Sequence, residues 1–453
     1  MKISPSRKSA FEILSKFFKY KNFKIDEEID NVSSRLNLNS KDRSLSMQIV
    51  YGVLRNKTLL QKILNKFTIT NLKNSSLEIR VILLMSLFQL LFLDRVPVYA
   101  IVNDGVNLAK VMGNKKEASF VNAVLRRISQ IGNMEKINRD IREIDNLSVR
   151  FSHPQWIINE LKQRVNENEI KEALQFNNSI PPLDIRITAK EISRDDLIEE
   201  IKKEIPKLDI ERTPFSPDGI RITPPIFPLE IKAFRDGKCV VQDESAQLIS
   251  YLIKLGAGEM FLDFCSAPGG KITHLSQLSP PDTKLFATDQ SEERLELVKK
   301  TIAHQNINNI SVVSKKEIFE IVRQIGFFDK ILVDAPCSGL GTLRRHPEIK
   351  WRYSPEDLNS LARKQISILR EIIPLLKKGG TIFYSTCSIA RSENEDVVQE
   401  FLKTEKGFSL SKFEIDEFKI DLKNFITEKG YFLTMPHRFN LDGFFCARIE
   451  YNK

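Results

Sequence analysis

Cysteine is scarce in this chain, five in 453 residues. With no apolar h-region at the amino terminus, five thiols do not make a disulfide framework, and reduced thiols in a cytoplasmic protein are expected. Histidine is as scarce, at positions 153, 274, 304, 346 and 437. Neither Cys-x-x-Cys nor His-x-x-x-His spacing occurs, so no metal site is expected. G-x-G-x-x-G is missing, which disfavours a dinucleotide fold. A P-loop fails because it would need Gly at 265 and Ser or Thr at 272, where the chain has Cys265 and Ile272. Long apolar runs are missing too. The longest, Val81 to Leu93, has 13 residues and is broken by Ser86 and Gln89. It is too short to cross a bilayer and reads as a buried helix, so no membrane partner is expected.

Acidic charge is thin in one region only. Residues 1–130 hold 22 Lys and Arg against 10 Asp and Glu, a balance of +12, whereas the remainder holds 47 against 49, or −2. A basic excess confined to the first third points to a module that meets phosphates; a solvated, lysine-rich helical surface is the plainer alternative. That third reads as helix. Ser4-Pro5-Ser6 opens an amphipathic run, and helical patterns continue through Asp42 to Leu54, Leu77 to Leu93, Val98 to Val111 and Lys115 to Ile131, jointed at Pro97 and Gly113. Arg7, Lys8, Arg43, Arg55, Arg126 and Arg127 are its candidate phosphate contacts. The helical domain is placed at 1–133. A mixed stretch follows at 134–238, where Leu183-Asp184-Ile185-Arg186-Ile187 and Gly219-Ile220-Arg221-Ile222 read as strands among closely spaced prolines. It is expected to be a small α+β linker domain.

From Cys239 onward strands and helices alternate. Phe261 to Phe264, Lys284 to Thr288, Ile310 to Val313, Lys330 to Val333 and the run into Cys387 read as strands of a mostly parallel sheet, giving an α/β domain at 239–453. Tyr431 to Met435 and Gly443 to Ile449 are expected to form an antiparallel edge. Ligands of such sheets collect at the carboxyl ends of the strands. The turn Cys265-Ser266-Ala267-Pro268-Gly269-Gly270-Lys271 lies there. Its small residues admit a ligand to the backbone, and its helix-start amides suit polar groups. Asp289 ends the next strand, where an acid can bind ribose hydroxyls. Together they describe a site for an adenosine-type cofactor.

Two further strand ends carry thiols. Ile331-Leu332-Val333-Asp334-Ala335-Pro336-Cys337-Ser338-Gly339 presents an acid and a thiol, and Ser385-Thr386-Cys387-Ser388 presents a second thiol. Cys239 and Cys446, inside apolar strands, read as small hydrophobes. Cys337 and Cys387 suit nucleophilic chemistry. Carbon 5 of cytosine does not take a methyl group unaided. A thiolate added at carbon 6 turns the ring into an enamine that does, and an acid such as Asp334 can hold or protonate the ring nitrogen. Beyond Cys337, Arg344, Arg345 and Lys350 are candidates to hold substrate phosphates, with Trp351 for stacking.

At these residues the sequence resembles the RNA cytosine-C5 methyltransferases of the Sun/RsmB type. The matching stretches are Gln242-Asp243-Glu244-Ser245-Ala246, residues 265–271, Asp334 to Gly339, Ser385 to Ser388, Met435-Pro436-His437 and Asp442-Gly443-Phe444-Phe445. The first third resembles a NusB-like RNA-binding domain from Arg7 through Asp42-Arg43 and Gly52-Val53-Leu54-Arg55 to Phe120 to Arg126. The resemblance implies an all-α NusB-like domain, an α+β linker domain and a Rossmann-like class I methyltransferase domain. It makes Cys387 the nucleophile and Cys337 the helper of product release. It puts S-adenosylmethionine at Cys265, Ser266, Ala267, Pro268, Gly269, Gly270, Lys271 and Asp289, with Asp334 between cofactor and base. The implied partner is 16S ribosomal RNA, unassembled or partly assembled, met by a monomer; DNA is not expected. Competing readings are a non-catalytic NusB-like ribosome assembly factor and a tRNA cytosine-C5 methyltransferase. DNA cytosine methylation is a third, disfavoured by the second thiol. In one place the chain departs from the pattern: Lys315 falls where an acid near the adenine is expected, so that either Glu317 or backbone substitutes for it or the adenine contacts differ.

Overall fold

The computed structural model describes residues 3–20, 23–68, 72, 75–189, 191–413 and 420–452. The chain forms two units that interleave along the sequence: Met1–Asn159, Glu167–Asn178 and His346–Arg352 make one, and Glu160–Asn166, Ser179–Arg345 and Tyr353–Lys453 the other. Among the described residues, no helix is long and apolar enough to cross a membrane.

The first unit is helical. Its main helices are Pro5–Lys19, Ile25–Arg35, Ser40–Phe67, Leu77–Phe92, Val98–Met112 and Lys115–Ile128. Local chemistry sets several starts. Asn39 accepts from the Asp42 amide, and Asn114 forms a capping box with Glu117. Leu77–Phe92 is apolar all round, which is why it runs through the centre of the unit, buried from Ile79 to Gln89 except at Arg80. Gly52 lets Ser40–Phe67 approach it closely: an added Cβ would lie 1.9 Å from the Phe88 ring.

The same unit takes in the short helix Ile349–Arg352. The Trp351 indole N–H donates to the Leu54 carbonyl at 2.7 Å, and the Lys57 ammonium lies 4.3 Å from the centre of the Trp351 ring. Lys350 donates to the Arg55 carbonyl and to Asn178 Oδ1, both at 2.9 Å, and Arg352 donates to the Phe23 carbonyl. Burial, helped by Arg55, pushes the Lys350 amine well below its ordinary range. Lys350 and Trp351 are therefore internal ties, not the phosphate and base contacts expected of an exposed loop.

The second unit holds two sheets. The smaller contains β1 (Leu183–Ile187), β2 (Asp209–Arg212), β3 (Gly219–Thr223) and β4 (Cys239–Val241), in the order β2-β3-β1-β4, with every pair antiparallel. Cys239 thus closes this sheet and does not open the next. Alternation along β1 explains its burial on both faces. Leu183, Ile185 and Ile187 pack with Leu197 and Ile201 of the helix Arg194–Glu204. Asp184 and Arg186 point the other way and are buried by polar contacts.

The larger sheet contains β5 (Met260–Asp263), β6 (Lys284–Ala287), β7 (Ile310–Val312), β8 (Phe328–Asp334), β9 (Leu376–Thr386), β10 (Phe408–Ser411), β11 (Phe432–Leu433) and β12 (Phe445–Tyr451). The order is β10-β12-β9-β8-β5-β6-β7, with β11 beside β12. Pairs from β7 to β9 are parallel, and β12 is antiparallel to its neighbours. The expected antiparallel edge is real only in part. β12 is inserted between β9 and β10, so its alternate residues Phe445, Ala447 and Ile449 join the buried core. Because β5 connects to β6 on one side and neighbours β8 on the other, the strand order reverses at β5. The carboxyl ends of β5, β6, β8 and β9 share one rim beside that reversal.

Candidate active site

The rim collects the residues that the sequence scattered. Parallel register sets Asp334 opposite Ser385, so the turns that follow β8 and β9 leave the sheet side by side. The Ser385 hydroxyl donates to Asp334 Oδ1 at 2.7 Å, and the Ala335 amide to the Ser385 carbonyl at 2.8 Å. Cys337 Sγ and Cys387 Sγ come to 3.2 Å of each other. The hydrogen bond shared with Cys387, then burial, push the Cys337 thiol well above its ordinary value, so Cys337 keeps its proton. Backbone bonds lock the turns: the Gly341 amide donates to the Cys387 carbonyl at 3.0 Å and the Gly443 amide to the Gly341 carbonyl at 2.8 Å. Glycine is required at 341, since an added Cβ would lie 1.9 Å from the Gly443 oxygen.

Lys271, expected among cofactor contacts, is directed at the thiols' side of the rim. Its ammonium is 2.5 Å from Asp334 Oδ2 and 5.1 Å from the centre of the Phe444 ring. Burial works against the ammonium, but Asp334 outweighs burial, with Cys387 adding to the same field, and the amine holds its proton more tightly than usual. Asp334 lies between a cation and a hydroxyl, with its side chain 30% exposed. Phe444 and Ser385, both within stretches that carried the resemblance, complete the surroundings.

The turn 265–271 lies under the same rim. Gly269 has φ +104° and begins the helix Gly270–Leu278. The Ala267 amide donates to Asp289 Oδ2 at 2.9 Å, tying the turn to the end of β6. Asp289 Oδ1 accepts from the Gln290 amide and the Arg294 guanidinium, at 2.7 and 2.5 Å. Cys265 is buried and packs into the core with Phe264 and Val333. Thr288 Oγ1 is buried without a hydrogen-bond partner among the described residues, and the buried Asp263 carboxyl has no side-chain partner there beyond the Ser266 hydroxyl. An orphaned hydroxyl and an under-satisfied carboxyl beside a glycine turn and an acid fit a ligand that brings amino and hydroxyl donors, as the amino acid and ribose parts of S-adenosylmethionine do. Lys315, where an acid was expected, is paired with both oxygens of Glu371 at 2.9 Å, and Glu317 is used by the Ser314 capping box.

Burial, then the charge of Asp334, raise the Asp263 carboxyl to about 7. A raised acid favours the fold while protonated. That contribution is complete below about pH 4 and is lost as pH rises through 7, on the order of 4 kcal/mol. Asp263→Asn stays neutral throughout. Thermal melts without cofactor are expected to show the variant gaining several degrees on the parent between pH 5 and pH 8; an offset constant across that range would contradict this role.

The arginine expectations divide. Arg345 is ringed by Asp442 at 2.8 Å, Asp184 at 3.0 Å and Asp243 at 2.7 Å, and donates to the Pro182 carbonyl. Three carboxylates leave no positive field for a phosphate; Arg345 ties the small sheet to the catalytic domain. Arg344 is buried against Asn440 and the Ile180 carbonyl, and burial lowers its guanidinium to about 10. In the helical unit, Arg7 is buried on Asp104 and Gln89. Arg55 lies half-buried over the Tyr51 ring, lowered to about 10 by burial. These four are corrected from phosphate contacts to structural cations. Arg43 pairs with Asp30, whereas Arg126 is exposed on the last turn of Lys115–Ile128. Among the described residues there is no cluster of three metal-ligating side chains.

Comparison with known proteins agrees with this geometry. The family described as 16S rRNA methyltransferase RsmB/F matches residues 250–450, the NusB family residues 4–130, and the RsmF/B-like ferredoxin-like domain residues 153–227. The probable ribosomal RNA small subunit methyltransferase B of Bacillus subtilis is 31% identical over 422 residues, 91% of each chain. Its counterpart in Synechocystis is 31% identical over 429 residues, 94% of this chain and 95% of its own. The crystal structure of PH0851 shares the fold at a TM-score of 0.78, with 22% identity and 99% of both chains covered.

Proposed function

The chain belongs to the 16S rRNA methyltransferase RsmB/F family, and we propose that it methylates carbon 5 of one cytosine in 16S ribosomal RNA through a covalent adduct on Cys387. The observation that carries this reading is the pair of thiols at 3.2 Å beside the Lys271–Asp334 ion pair. Cys387 Sγ adds to carbon 6 of the ring, and the displaced electron pair moves to carbon 5. S-adenosylmethionine, held by the 265–271 turn and Asp289, supplies the methyl group that carbon 5 accepts. Asp334 orients the base by accepting from its exocyclic amine, and the Lys271 ammonium steadies the negative charge that develops on the ring. A base then removes the proton from carbon 5, the carbon–sulfur bond breaks, and the Cys337 thiol protonates the departing sulfur. Of the two roles open to Asp334, holding the ring or protonating it, this reading takes the first.

The target base must leave its stack or lie in a loop, because attack comes from above the ring. The +12 balance of residues 1–130 supports delivery of the RNA by the helical unit, with Arg126 a phosphate contact. The enzyme acts as a monomer on free or partly assembled RNA. The test is transfer from methyl-labelled S-adenosylmethionine to unmodified 16S RNA, free and in partial particles, alongside tRNA. Label recovered as 5-methylcytidine at one position of 16S RNA is the expected result, with binding that weakens steeply as salt rises. Label in tRNA alone, or in no RNA despite cofactor binding, would overturn the reading.

A further inference from the structure

One fully buried acid lies under both thiols and is used by none of the steps above. Glu393 has no exposed surface. Its Oε1 accepts from the Ser338 amide at 2.8 Å and from Gln365 Nε2 at 3.2 Å. Its Oε2 accepts from the Ser338 hydroxyl at 2.5 Å and the Ser388 hydroxyl at 2.6 Å. Ser338 follows Cys337 in sequence and Ser388 follows Cys387, and the two hydroxyl oxygens are 3.2 Å apart. Gln365 also donates to the Pro336 carbonyl, on the other side of Cys337. The Glu393 carbonyl accepts from Tyr384, and the next residue, Asn394, bonds Thr386 and the Ser388 carbonyl. One carboxylate therefore gathers four donors from three segments.

We propose that Glu393 is a positioning residue that sets the distance and alignment of Cys337 and Cys387, and with it the release of the methylated RNA. The inference rests on the two-thiol reading given above. No cation balances this carboxylate among its hydrogen-bond partners, so its placement is maintained by hydroxyl and amide donors alone. Burial raises its pKa, and the bonds from Ser338 and Ser388 oppose that rise. Glutamine in its place keeps the shape but loses one acceptor. Its amide nitrogen would face two hydroxyls that must turn to accept, although the same oxygens already accept from the Leu340 and Ala390 amides. Only one hydroxyl can then donate to the other, so one proton is left without a partner and the turns shift.

Two readouts test this on the full chain. Diamide takes two electrons and two protons from a pair of neighbouring thiols, leaving a disulfide and a hydrazine, so its rate reports the Cys337–Cys387 alignment without any RNA. Glu393→Gln is expected to slow that closure about tenfold or more, since small displacements at reacting atoms cost rate steeply. With RNA, the same variant is expected to lose turnover by a similar factor at an unchanged KM for S-adenosylmethionine, and to hold more denaturant-stable adduct. If Glu393→Gln does not fold, Ser388→Ala, which removes one of the four donors, is expected to act in the same direction. Parental rates in both assays would overturn the proposal, as would a loss confined to KM. Retained methylation by Cys387→Ala would instead overturn the two-thiol reading beneath it.

Discussion

Cys387→Ala is expected to lose methyl transfer by about 10⁴-fold or more while still binding S-adenosylmethionine and RNA. The size follows from the chemistry: without an adduct at carbon 6, carbon 5 has no electron pair to offer. The choice between the thiols follows from the site. Cys337 holds its proton, sharing it with Cys387 Sγ at 3.2 Å. Cys387 lies in the field of the Lys271 ammonium. A neighbouring cation suits a sulfur nucleophile. Quenched single-turnover assays with labelled cofactor measure the loss, and calorimetry verifies that cofactor binding survives. Activity near that of the parent would exclude Cys387 as the nucleophile.

Cys337→Ala is expected to do the opposite to the intermediate, preserving formation of the adduct and blocking its resolution. Alanine removes the proton nearest to the departing sulfur, so the carbon–sulfur bond re-forms as readily as it breaks. Incubation with unmodified 16S RNA and S-adenosylmethionine should give a protein–RNA band that survives denaturant, rising from trace levels in the parent to a large share of the enzyme. The band should vanish in the Cys337→Ala, Cys387→Ala double variant. A band that persists there would place the bond on another residue, and absence of any band with cofactor binding intact would remove Cys337 from the release step.

The catalytic rim was legible because strand ends announce themselves locally. Asp334-Ala335-Pro336-Cys337 and Ser385-Thr386-Cys387 each follow a β-branched or aromatic run, and parallel register does the rest. The same holds for the turn 265–271, where proline and paired glycines end a strand and open a helix. Long-range electrostatics was not legible. Arg345 looks like any loop arginine, and only the fold reveals Asp184, Asp243 and Asp442 around it. Arg7 sits in a basic stretch, yet its partner Asp104 lies far along the chain. Glu393 stands among the charged residues Arg391, Glu395 and Asp396, and its burial depends on Ser338, Ser388 and Gln365 arriving from elsewhere. The position of β12 escaped as well, since alternation fits an edge strand and an inserted one alike.

The helix Ile349–Arg352 bears on how the protein is made. The helical unit draws its last residues from His346–Arg352, more than two hundred positions after its main helices end at Ile128. During synthesis the Leu54 and Arg55 carbonyls must wait, solvated, for Trp351 and Lys350 to emerge before those acceptors are filled from within. A chain released early, anywhere before residue 346, carries a helical unit with an apolar seat for Trp351 left open. Synthesis through Arg352 is thus written into the helical unit itself: the module with the basic surface is completed only after the segment bearing Cys337 has been translated.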